Sequence, residues 1–165
     1  MKIVRESFKV KTPARQPWFC DINEPVGEIV KRSQVKDGFC LVFSHHTTCS
    51  IILQEYSKDI TYNGLEYMNQ DLIDIFEKII PTMRHEGQYL HPGPWSTKWS
   101  FENGEDKPYC INTDAHLRSL FMGRSETLPI IEGKVDTGDF GHLYLIDFDQ
   151  TRERERTVQV QIIGE

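Results

Sequence analysis

The chain has 165 residues, of which 38% are hydrophobic and 27% charged, enough for one globular domain with a real core and too few for two comfortable ones. A net charge of −6 argues against a nucleic-acid partner, which calls for a basic face; the one basic cluster, Arg152-Glu153-Arg154-Glu155-Arg156, reads as cancelled by its own glutamates. No stretch approaches the roughly 20 apolar residues that span a bilayer and the amino terminus carries no apolar leader, so the expectation is a cytoplasmic protein with no membrane partner.

Residues 3–11 alternate, with Val4, Phe8 and Val10 on one side and Arg5, Ser7, Lys9 and Lys11 on the other, the pattern of a half-buried strand. A second strand is predicted over 17–22. A short helix follows from Pro25 to Ser33, with Asn23 as its N-cap. Lys36-Asp37-Gly38 is a turn, and buried strands are predicted at Phe39–Phe43 and Ser50–Leu53. The clearest helix runs from Tyr67 to Ile80, where Met68, Leu72, Ile75, Phe76 and Ile79 recur at helical spacing and Pro81 stops it. From Thr82 to Cys110 the pattern is irregular and holds two of the three tryptophans, Trp95 and Trp99. A connection of that length inside a domain is usually functional or partly disordered.

A further helix is predicted from Asp114 to Gly123, with Leu117, Leu120 and Phe121 facing inward. Strands at Thr127–Ile131, Lys134–Thr137, His142–Phe148 and Thr157–Ile163 then read as an antiparallel meander. The fold class is therefore α+β: a single domain over 1–165, a mainly antiparallel sheet or sandwich with helices packed on one side. Cys20, Cys40, Cys49 and Cys110 form no C-x-x-C pair, which favours buried thiols over disulfides or zinc ligands.

Six histidines could carry chemistry, but no H-E-x-x-H or other tight pair marks a metal site. His45 and His46 end a strand, so alternation sends them to opposite faces, and His46 shares its face with Ser44 and Val42. His116 lies in the first turn of its helix, where the dipole disfavours imidazolium and free N–H groups suit an anion; Arg118 is nearby. His91 sits in the long loop. Glu55 follows a buried strand and reads either as a general acid/base or as an exposed strand end. His85 and His142 are expected to be solvated imidazoles rather than ligands.

Three blocks in order resemble the YjbQ family, described as secondary thiamine-phosphate synthase-like proteins. His46-Thr47-Thr48-Cys49-Ser50-Ile51-Ile52-Leu53-Gln54-Glu55 is similar to the family's H-T-S-A-x-L-x-x-N-E, Tyr89-Leu90-His91 to its Y-x-H, and His116 through Gly123 to its H-L/I-K-x-S-L-L-G. Ser125 through Leu143 keeps the family's serine and glycines, but Asp139-Phe140-Gly141 stands where the family has Thr-Trp-Gln. The resemblance implies an α+β fold, a homotrimer, and a pocket lined by His46, His91 and His116. It also implies weak thiamine-phosphate synthase-like activity.

Two readings follow. In the first, an enzyme holds a divalent metal such as zinc on His46, His91 and His116 and acts on a small phosphorylated molecule. Glu55 and the histidines move protons there, while Thr47, Thr48, Arg118 and Ser125 hold the anion. In the second, the same pocket is a non-catalytic module that binds a metal or phosphometabolite.

Overall fold

A computed structural model describes residues 1–165, apart from the side chain of Tyr109. Eight strands form two antiparallel sheets. The larger has the order β1-β8-β3-β5-β6 and the smaller β2-β7-β4. The strands are β1 (Lys2–Thr12), β2 (Trp18–Asp21), β3 (Gly38–Ser44), β4 (Cys49–Glu55), β5 (Ser125–Ile131), β6 (Lys134–Val135), β7 (Gly141–Asp147) and β8 (Arg154–Gly164). Four helices complete the domain: α1 (Asn23–Ser33), α2 (Tyr67–Ile79), α3 (Pro94–Glu102) and α4 (Thr113–Met122). The α+β class is as the sequence predicts.

The inner core lies between the sheets. Cys40, Val42, Leu128, Ile130, Val158, Val160 and Ile162 of the larger sheet meet Ile51, Leu143 and Leu145 of the smaller one, and α1 adds Val26, Ile29 and Val30. The opposite face of the smaller sheet is covered as well. There Phe19, Ile52, Tyr144 and Ile146 pack with Ile73 and Phe76 of α2, Ala115 of α4 and Phe148. Being covered on both faces, β7 is buried from Leu143 to Asp147, which explains its nearly continuous apolar sequence.

The predicted elements are found, with several corrections. Ile22 occupies the N-cap position of α1, whereas Asn23 is helical and its Oδ1 accepts the Leu143 N–H at 3.1 Å. Residues 82–110 are not structureless, because they contain α3 and a 3-10 turn at Lys107–Cys110. The carboxy-terminal strands do not form a meander. Only β5 and β6 make a hairpin, through Glu132-Gly133, both at positive φ, the signature of a tight primed turn. β7 crosses to the smaller sheet, and β8 returns between β1 and β3.

On α4 the inward face is Thr113, Asp114, Ala115, Arg118 and Ser119, while Leu120 and Phe121 are 80% and 71% exposed. On α2 the buried positions are Asn69, Ile73 and Phe76, and Met68, Ile75 and Ile79 are exposed. All four cysteines are free thiols, and burial pushes Cys40 up to about 11. Among the described residues, no helix is long and apolar enough to cross a membrane.

Candidate functional site

The turn between β3 and β4 carries His45 to Thr48 to one end of the sandwich, where β7 and β8 also approach. Alternation continues one residue past β3. The His45 ring leaves toward solvent, meeting the Phe43 ring edge-on at 4.8 Å and Gln159 Oε1 at 3.0 Å. His46 turns inward, and its Nε2 accepts the Thr157 N–H at 2.9 Å. Thr157 lies one residue beyond the last β3–β8 pair, Ser44 with Val158. The imidazole thus takes over a backbone donor that the ladder leaves unpaired. A neutral ring that accepts at Nε2 holds its proton on Nδ1, so the free edge of His46 is a donor.

His116 sits in the first turn of α4, packed toward the same turn. Its ring centroid is 5.7 Å from that of His91, edge to face. The loop bearing His91 is tied to the start of α4, because Thr113 Oγ1 donates to the His91 carbonyl at 2.5 Å. Burial holds the His116 imidazole below its ordinary range, and the neighbouring His91 adds to this. The Asp149 charge and a hydrogen bond to the Thr47 backbone oppose without cancelling. Burial and the Arg156 charge likewise lower His46. The Arg156 charge acts on both histidines, that of Asp147 on His46 and that of Asp149 on His116.

Beneath the histidines lies a buried ionic network. Arg156 Nε and Nη2 make a two-pronged contact with Asp147 at 2.6 and 2.8 Å, and Nη2 also donates to Thr48 Oγ1 at 3.1 Å. Thr12 Oγ1 donates to Asp147 at 2.6 Å. Asp149 accepts from Arg154 at 2.9 Å, from Asn112 at 3.2 Å and from Thr151. Burial pushes the Asp149 carboxyl up, but those donors together hold it below the ordinary carboxylate range.

The sequence missed this network by cancelling Arg152–Arg156 against Glu153 and Glu155. In β8 and its approach the residues alternate, so Arg154 and Arg156 turn inward while Glu153 and Glu155 stay exposed. The period-two pattern R-E-R-E-R, read as a strand, was the signal available. Asp147-Phe148-Asp149 alternates likewise, with Phe148 joining the apolar core.

Of the other predicted site residues, few reach the histidines. Thr47 is exposed on the turn. Thr48 is buried and engaged by Arg156. Arg118 points away into the helical layer: fully buried, it donates to the Ile80 carbonyl, to Glu77 at 2.8 Å and to Thr82. Ser125 pairs with Phe43 and therefore lies on the face of His45, opposite His46. Glu55 ends β4 six residues beyond Cys49, about 20 Å along the strand from the histidine turn, with an exposed side chain; within one chain it cannot shuttle a proton for His116. His85 is exposed. His142 is not simply solvated, since its Nδ1 lies 3.0 Å from Asp21 Oδ2 and its ring stacks on Tyr56 at 4.8 Å.

Three kinds of likeness agree with this fold. A family model described as UPF0047 protein YjbQ-like matches residues 6–165. A UPF0047 protein of Methanocaldococcus jannaschii is 28% identical, with 100% of this chain aligned to 99% of that one. A UPF0047 protein of Synechocystis is 31% identical over 88% of this chain and 82% of its own. Among solved structures, a YbjQ-like protein of unknown function from Sulfolobus solfataricus superposes with a TM-score of 0.72 at 25% identity, covering 99% of this chain and all of that one. A YjbQ/UPF0047 protein from Clostridium acetobutylicum gives 0.70 at 26% identity, covering 96% of this chain and 99% of its own. With the matching model spanning nearly the whole chain, the protein belongs to the UPF0047 YjbQ-like family.

Proposed function

We propose that His46, His91 and His116 form a binding site for a small phosphorylated molecule, with His116 as its acid–base group. The observation that carries this reading is the His91–His116 pair, 5.7 Å apart, with His116 hydrogen-bonded to the backbone of Thr47, the residue after His46, whose free ring edge is a donor. His46 offers its Nδ1–H and His116, once protonated, a second N–H, and the Arg156 charge acts on both. A lowered His116 is largely neutral near pH 7 and can accept a proton there.

The divalent metal implied by the resemblance fits this donor set poorly. A metal ligand needs a free nitrogen lone pair, and the His46 lone pair is engaged by the Thr157 N–H. Among the described residues, no three His, Cys, Asp or Glu side chains stand together as a metal cradle. Direct recognition of phosphate by imidazole is therefore the reading favoured here. A pure binding module is the second reading, supported by the distance of Glu55 from the pocket. Neither reading depends on thiamine-phosphate synthase-like activity.

Calorimetry with inorganic phosphate at pH 7.5 and 5.5, with and without chelator, tests the site. Because burial lowers His116, it gains its proton only in mild acid, so binding through it tightens as pH falls. We expect binding unaffected by chelator that is several-fold tighter at the lower pH and lost in His116→Ala. Binding that needs a metal and weakens in acid would overturn the proposal. Turnover lost in His116→Asn with phosphate binding retained would favour the enzyme over the module.

A further inference from the structure

Between α2 and α4, residues 83–111 enclose a cleft of about 540 Å³ that the histidine site does not use. Its apolar walls are Met83, Pro92, Pro94, Phe101 and Ile111. Its charged lining is self-neutralising: Lys107 pairs with Glu86 at 3.1 Å and Lys98 with Glu102 at 3.8 Å. A cavity of this size with apolar walls and no unpaired charge suits a small neutral group.

Two walls of the cleft are continuous with the histidine pair. Pro92 directly follows His91. Ile111 stands two residues before Thr113, which opens α4 and holds the His91 carbonyl at 2.5 Å. The segment that places His91 against His116 thus also forms the cleft.

We propose that this cleft is the subsite for the organic part of the phosphorylated ligand: a neutral ring or short alkyl chain esterified to the phosphate that the histidines take. This rests on the phosphate reading above. Phosphate recognition through imidazole gives little selectivity among phosphate esters, because the group recognised is common to all of them. The cleft supplies the discrimination, by removing the apolar part of one ester from water.

Phenyl phosphate and inorganic phosphate serve as probes by calorimetry on the wild-type chain and two variants. Phe101→Ala removes one wall, and Thr97→Trp fills the space. Both positions lie on α3, which buries no residue, so neither change threatens the core. We expect phenyl phosphate to bind on the order of tenfold tighter than inorganic phosphate, the scale set by burying one ring. Both variants should abolish most of that advantage and leave inorganic phosphate unchanged. Equal affinity for the two probes, or variants that do not reduce the advantage, would overturn the cleft while leaving the histidine site standing. Failure of both probes to bind would instead remove the histidine site, and the cleft proposal with it.

Discussion

Arg118 and Arg156 exchange the roles that their neighbours in the sequence suggest. Arg118, two residues from His116, serves the helical layer by clamping the Ile80 carbonyl and Glu77 where α2 ends. Arg156, in a segment that reads as a charged turn, stands buried under the histidines and anchors Asp147. Replacing Arg118 by Met should therefore cost stability rather than binding. The Ile80 acceptor and Glu77 lose buried donors, a loss of about 2–4 kcal/mol, while phosphate affinity stays within twofold. Thermal unfolding together with calorimetry checks both halves. A large loss of phosphate binding in a folded variant would return Arg118 to the site.

The strands were legible wherever one face is covered and the other wet, as in β1, where alternation shows directly in half-buried Phe8 and Val10 against exposed Lys9 and Lys11. Helix α4 misled because its apolar residues do not mark its buried face. Leu120 and Phe121 face outward, while Asp114, Arg118 and Ser119 face in and are buried. Periodicity identifies the helix but not its orientation when a buried polar set competes with an apolar one. Gly38, read as part of a turn, has a tighter role at the start of β3. A Cβ there would lie 2.2 Å from the Ile163 carbonyl oxygen and 2.7 Å from the Gly164 Cα, both backbone atoms. The β3–β8 pairing would have to open, so Gly38→Ala should destabilise by about 3 kcal/mol. Denaturant unfolding measures this, and a neutral result would mean that the strand ends part without cost.

At the scale of the whole molecule, two sheets and an outer helical layer make a core that needs no disulfide. The outer helical layer is nevertheless incompletely covered: Leu120 and Phe121 of α4 and Ile75 and Ile79 of α2 expose large apolar side chains. We propose that this surface contributes to self-association, consistent with the homotrimer implied by the resemblance. Leu120→Glu with Phe121→Glu should leave the fold intact, since both residues are already exposed, and shift sedimentation toward the monomer. An unchanged sedimentation coefficient would place any interface elsewhere.

The sequence by itself determined the α+β class, the positions of most strands, the helices α1, α2 and α4, the free thiols and the opposed directions of His45 and His46. The elements and the histidine directions follow from local periodicity, the fold class from the order of those elements, and the thiols from the lack of a C-x-x-C pair. Tertiary structure alone decided which sheet β7 and β8 join and which face of α4 is buried, and it brought His91 against His116, which the resemblance implied but no periodicity shows. It also set Glu55 at the far end of β4 and placed Arg154, Arg156, Asp147 and Asp149 beneath the histidines. These outcomes depend on pairings between residues far apart in the chain. A charged residue's partner there is chosen by the packing of both sheets, which no short window of sequence contains.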